Sequence, residues 1–269
     1  MREVSEKSAP YSITFESFGL QLQARAPSEE MLARIEDCIP PMARRIEPGG
    51  DTKRFAIVEE GDGFHSVWNP NNMVCTHAGT EYALLTLEGQ LRSWVAVNAP
   101  DAIFIHAGAV GHDGSAVIVP GDSFSGKTTL VTELIRRGAE YFSDEFAVID
   151  REGLIHPYPK PLSIRSRANG ELRETDTPVE DLGGTAADRP LPLSVAAVTY
   201  FVPGAEWRPR RLSRGEGVLS LLSRCVPARN RPEEALRFIT AAAENAVVLE
   251  GERGEAAEFA EMVLSGALV

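Results

Sequence analysis

The sequence predicts an α/β protein preceded by a small α+β region. Two observations predict it. From Ile103 onward, apolar strand-like runs alternate with helical patterns, and one run, "VIVPG", passes through a glycine-rich loop into an amphipathic helix. Before that point, short strand-like runs are separated by two helical stretches.

Taken in order, "YSITFESF" (11–18) and "LQLQA" (20–24) read as strands joined tightly at Gly19. Pro27-Ser28-Glu29-Glu30 opens a helix that ends near Pro40-Pro41. "RFAIVEE" and "FHSVWN" read as strands around a hairpin turn at Gly61-Asp62-Gly63. From Gly79 to Asn98, Tyr82, Leu84, Leu85, Leu87, Leu91, Trp94 and Val95 recur at helical spacing, and Pro100 ends the helix. "IFIHAGAVGHDGSAVIVPG" reads as two strands around a turn at His112-Asp113-Gly114. The helix after the loop carries Leu130, Leu134 and Ile135 on one face and stops at Gly138. "EFAVID", a turn at Arg151-Glu152-Gly153 and an extended segment follow. Residues 166–190 are polar and poorly patterned, and read as a long irregular loop. A strand "VAAVTYFVP", helices around Gly215–Ser223 and after Pro232, a strand "AVVLEGE" and a last helix from Glu255 complete the chain. The expected division is an N-terminal region over residues 1–99 and a larger domain over residues 100–269.

Composition excludes some functions. The chain has 269 residues, 43% of them hydrophobic, and a formal charge of −12, so a basic face for nucleic acid is not expected. No uncharged apolar stretch reaches the roughly 18 residues of a membrane span. "MREVSEKSAPYSITF" lacks the apolar core of a secretory signal. Cys38, Cys75 and Cys225 are too widely spaced for a metal motif or a disulfide framework. A cytoplasmic protein is expected.

The chemistry is concentrated after Val117. Gly121-Asp122-Ser123-Phe124-Ser125-Gly126-Lys127-Thr128 fits G-x-x-x-x-G-K-[ST], the phosphate-binding loop, with Thr129 following. Its glycines let backbone N–H groups turn inward as an anion nest, and the next helix presents its positive end. Lys127 would place a charge on the β and γ phosphates, and the Thr128 hydroxyl would hold Mg²⁺. Only four lysines occur in the chain, and one falls on this motif. One helix later, "YFSDEFAVID" supplies Asp144 and Glu145. One carboxylate of such a pair can accept a proton from an attacking hydroxyl while the other holds the metal. His106, on the strand before the loop strand, would approach the same site if the two strands are neighbours.

"IHAGAV…VIVPGDSFSGKTTL…YFSDEFAVID…PYPKPLSIR" resembles the catalytic domain of HPr kinase/phosphorylase and the broader HPr-kinase-related group, over roughly residues 100–250. That group shares its architecture with phosphoenolpyruvate carboxykinase and includes lasso-peptide-type kinases. The order of histidine, phosphate loop and an acidic pair one helix later carries the resemblance. It implies that His106 lies near the transferred phosphate, that Lys127 and Thr128 bind phosphate and Mg²⁺, that Asp144 is the general base, and that Glu145 stands at the second acidic position. Arg165 in "LSIRS" matches the arginine of the family's "EIRG", but Ser163 stands where its glutamate would be. This departure favours a divergent branch over the HPr substrate and over phosphorolysis.

The expectation is therefore an ATP- and Mg²⁺-dependent kinase that phosphorylates a hydroxyl, a Ser or Thr of a small protein or peptide. Its rivals are a nucleotide-binding regulatory module without transfer and a small-metabolite kinase. No nucleic acid or membrane partner is expected, and homo-oligomerisation is left open. Weaker signals are the arginines of "WRPRRLSRGEG", a docking site for an acidic acceptor or a solvated turn, and Cys75 with His77, read as structural.

Overall fold

The computed structural model describes residues 7–121, 125–168 and 171–268. The chain divides into two compact units, Met1–Asp101 and Ala102–Val269.

The first unit is a six-stranded sheet with two helices. Its elements are β1 (Tyr11–Ser17), β2 (Leu20–Ala26), α1 (Glu29–Glu36), β3 (Arg44–Arg45), β4 (Lys53–Gly61), β5 (Phe64–Trp68), β6 (Met73–Ala78) and α2 (Thr80–Asn98). Strands are ordered β3-β1-β2-β4-β5-β6, with β2 and β4 parallel and the other pairs antiparallel. Ser28 caps α1 by accepting from the Met31 N–H, with Glu29 and Glu30 in the first turn where the helix dipole favours negative charge. Phe15, Phe55 and Ile57 are buried on β1 and β4; α2, with Leu87, Leu91 and Val95 buried, packs on β4 and β5, while α1 packs on β1. Phe55 meets the Trp94 ring edge-on at 5.6 Å between centroids.

The second unit contains β7 (Ala102–His112), β8 (Ser115–Pro120), α3 (Lys127–Arg136), β9 (Glu140–Ser143), β10 (Phe146–Asp150), β11 (Leu154–His156), β12 (Leu162–Ala168), β13 (Glu171–Thr177), β14 (Leu191–Phe201), β15 (Arg210–Arg211), α4 (Arg214–Leu222), α5 (Pro232–Ala242), β16 (Val247–Arg253) and α6 (Ala256–Leu264). Its main sheet runs β11-β10-β7-β8-β14-β16-β15, with β9 beside β7. Strand β11 also bonds β14, so β11, β10, β7, β8 and β14 close into a ring. The pairs β8–β14 and β14–β16 are parallel.

Two cores flank this sheet. On one side, Ile103, Ile105, Ile118 and Ile149 pack with Leu221 of α4 and Phe238 and Ile239 of α5. On the other, Val117, Val119 and Leu249 pack with Leu130, Val131 and Leu134 of α3 and Phe259 of α6. The stretch around residues 166–190 departs from the sequence expectation. An antiparallel ribbon pairs β12 (Leu162–Ala168) with β13 (Glu171–Thr177), and a 3₁₀ turn follows at Val179–Leu182. Polar, charge-rich ribbons show no apolar alternation, so the periodic signal is missing; among the described side chains of the ribbon, Leu162 and Ile164 reach the α3 core.

Candidate functional site

The site is built on β7. Its first half pairs with β10 (His106 opposite Phe146) and its second half with β9 (Ala109 opposite Ser143), so Asp144 and Glu145 form a corner between two strands on the same edge. On the other edge of β7, Ala107 pairs with Pro120, the last residue before the loop. The Gly121 N–H donates to the His106 carbonyl at 3.2 Å, and the Ala107 N–H donates to the Glu145 carbonyl at 3.2 Å. His106 therefore stands between the loop strand and the acidic corner. Its side chain is exposed, tilted over Phe146 with ring centroids 5.1 Å apart.

Close approach of α3 to β7 requires a glycine at position 108. A Cβ there would lie 2.6 Å from Val131 Cγ2. At the start of α3, Gly126 takes φ 82°, the left-handed conformation that favours glycine, and Lys127 is the first helical residue. Lys127 Nζ donates to the Gly121 carbonyl at 2.8 Å, drawing the ends of the loop together. Ser125 Oγ is buried and without a hydrogen-bond partner among the described residues. Asp122, Ser123 and Phe124 lie outside the described residues.

Thr128 ties the loop helix to the acidic corner. Thr128 Oγ1 donates to Asp144 Oδ2 at 3.2 Å. The single Tyr141 hydroxyl proton is shared between Asp144 Oδ1 at 3.2 Å and the Lys160 carbonyl at 2.7 Å. Burial raises the Asp144 carboxyl above its ordinary pKa of 3.8; the Lys160 charge and the bonds from Thr128 and Tyr141 oppose the rise without cancelling it. Because the folded value is raised, the stability linked to Asp144 is full below the unfolded pKa and is lost as pH rises through the folded one. Burial, with the nearby Asp144 charge, also pushes the Tyr141 phenol far up, so it stays a donor.

Ser143 shapes the corner. Fully buried, its Oγ accepts from the Glu145 N–H at 3.1 Å and the Phe146 N–H at 3.0 Å. Ser143→Ala leaves both donors without that acceptor and is expected to lower unfolding free energy by about 1–3 kcal/mol, measured by urea denaturation.

Of the remaining candidates, Thr129 is exposed on α3. Arg165 sits on the β12–β13 ribbon, exposed and opposite Glu174 in register; β12 packs on α3. Arg208, Arg210 and Arg214 form ion pairs with Glu206, with Glu216 and Glu250, and with Glu244 respectively, which neutralises much of that basic turn. His77 pairs with Glu60, and no group of three or more metal-ligating side chains occurs among the described residues.

Sequence reasoning missed Tyr141, Ser143 and Arg253. Arg253, at the end of β16, is 2% exposed. Its Nη2 donates to the carbonyls of Ser125 at 3.4 Å and Gly126 at 3.3 Å. An arginine among the acidic residues of "LEGERGE" carries no local signal; only the parallel pairing of β14 with β16 brings it to the loop.

Fold and site together define a mixed α/β protein in which a Gly–Lys–Thr loop at the end of a strand adjoins an acidic corner. No family model matches the sequence, and no curated protein matches it. The structure is similar to that of the Hpr(Ser) kinase/phosphatase from Coxiella burnetii, with 14% identity and a TM-score of 0.31, over 61% of this chain and 90% of that one. A likeness of that size leaves function to be read from the side chains. Among the described residues, no helix is long and apolar enough to cross a membrane.

Proposed function

We propose that the protein is an ATP- and Mg²⁺-dependent kinase that transfers the γ-phosphoryl to a hydroxyl, working in the cytoplasm. The observation that carries this reading is the bond from Thr128 to Asp144, which joins the loop helix to a carboxylate whose pKa burial has raised. The donor set suits Mg²⁺, a hard cation that takes oxygen ligands and keeps few from the protein when phosphates supply others. Thr128 and Glu145 would hold it, and when bound it neutralises phosphate charge.

Lys127 and the N-terminus of α3 bind and orient the polyphosphate. His106, exposed beside the corner, donates to a phosphoryl oxygen. Asp144 takes the proton from the acceptor hydroxyl as the oxygen attacks phosphorus; its raised pKa makes it a better base than an ordinary aspartate at neutral pH. ADP leaves with the electron pair of the broken P–O bond. The acceptor is a Ser or Thr of a small protein or peptide, and residues 1–99 govern its access. Arg165, on the ribbon packed against α3, approaches the nucleotide from that side.

The reading is tested by incubating the protein with γ-labelled ATP, Mg²⁺ and a library of Ser- and Thr-containing peptides. Label in peptide is the expected result. ATP binding with no label in any acceptor would favour a nucleotide-binding module.

The pH profile gives a sharper expectation. A base must be ionised to work, so transfer falls as pH drops through the folded pKa of Asp144, above the ordinary aspartate value. Tyr141→Phe removes a donor to the charged form, so the acid limb should move to higher pH, read as the midpoint of kcat/KM against pH.

A further inference from the structure

Arg253 is a buried cation whose direct contacts are with neutral groups. A guanidinium is always charged, and burying one is costly unless it is paired. The partners of Arg253 are the carbonyls of Ser125, Gly126 and Gly254, the Thr199 hydroxyl at 3.3 Å, and the face of the Phe201 ring 5.4 Å away. These direct partners are all neutral; the exposed Glu255 carboxylate, two residues along, favours the charge from a distance, but among the described residues Arg253 makes no ion pair. Gly126 is fitted to it, since a Cβ there would lie 2.7 Å from Arg253 Nη2.

The peptide plane gives this contact a direction. In a trans peptide, C=O and the N–H of the next residue point to opposite sides. The Gly126 carbonyl also accepts the Leu130 N–H at 3.1 Å as the first bond of α3; Arg253 shares that carbonyl with the helix and adds the Ser125 carbonyl, so the N–H groups of Gly126 and Lys127 face the side of the loop opposite the guanidinium. Those two groups begin α3, where N–H groups and the helix dipole favour an anion.

We propose that Arg253 is the positioning residue of the Ser125–Lys127 turn at the start of α3: it aligns the Gly126 and Lys127 amides for a polyphosphate, whose negative charge balances the buried guanidinium. The inference rests on the nucleotide reading above and extends it to a residue from the far end of the domain. Arg253 acts through the loop carbonyls and does not touch the phosphates.

The test compares wild type, Arg253→Met and Arg253→Lys as full chains, with calorimetric titration by ATP·Mg²⁺ and by inorganic triphosphate, and thermal melts with and without each. Arg253→Met replaces a buried charge by an apolar side chain of similar length. Without ligand its Tm is expected to equal or exceed that of wild type, while its Kd for both ligands weakens about tenfold or more and the ligand-induced rise in Tm shrinks. Arg253→Lys keeps the charge but cannot fork across two carbonyls, so its Kd should fall between the other two.

A lower ligand-free Tm in Arg253→Met with wild-type affinity would assign Arg253 a purely structural role and overturn the proposal. If Arg253→Met does not fold, wild-type affinity in Arg253→Lys overturns it equally. If wild type binds neither ligand, the proposal falls together with the nucleotide reading; if wild type binds and both variants bind as well, the proposal alone fails.

Discussion

Asp144→Asn is expected to leave ATP·Mg²⁺ binding close to wild type and to reduce phosphoryl transfer by about 10²- to 10⁴-fold. The amide keeps the size of the carboxylate and an oxygen that can accept from Thr128 or Tyr141, so the corner built by Ser143 should persist. It cannot take a proton from an acceptor at neutral pH. Binding by calorimetry and transfer of labelled phosphate are measured on the same preparation, because the prediction lies in their divergence. Transfer at the wild-type rate would remove Asp144 from the role of base. Contact with Thr128 also fits a carboxylate that shares the metal, and Mg²⁺ titration distinguishes the two roles. A base variant keeps the wild-type midpoint for Mg²⁺, whereas a ligand variant needs more.

Lys127→Ala is expected to weaken ATP·Mg²⁺ binding by about 10- to 100-fold, the worth of one charge-assisted contact in a partly sheltered site. The far-UV circular dichroism should not change, since the Gly121 carbonyl that the ammonium group bonds can turn to solvent when it is removed. Unchanged binding would show that the loop does not hold the phosphates.

Much of this site is written locally in the chain. The Gly121–Thr129 stretch is legible because a phosphate loop needs glycine, lysine and a hydroxyl within a few consecutive residues, between an apolar strand and an amphipathic helix. Asp144 and Glu145 stand out because two adjacent carboxylates interrupt an apolar run. The placement of His106 could be anticipated from the His112-Asp113-Gly114 turn, which makes β7 and β8 neighbours. Arg253 and Tyr141 were not legible, since their roles depend on contacts made across the sheet and the 141–160 connection. The β12–β13 ribbon was hidden for another reason: a strand with little apolar surface to bury leaves no period in its sequence.

The parallel pairings described above also set an order of events. Val117 of β8 pairs with Val195, and Val195 with Val247, so the sheet beneath the loop joins segments far apart in the chain. Such contacts reward the chain only after long loops have closed, which makes them slow to form. The hairpin of β1 and β2, by contrast, needs one turn at Phe18 and Gly19. During synthesis the N-terminal unit and the loop sequence leave the ribosome well before β16. A nascent chain halted anywhere short of Arg253 therefore carries the complete lysine–threonine motif without the guanidinium that holds the Ser125 carbonyl and shares the Gly126 carbonyl with α3. Nucleotide affinity should appear abruptly as β16 is added, making ligand retention a late marker of folding in this protein.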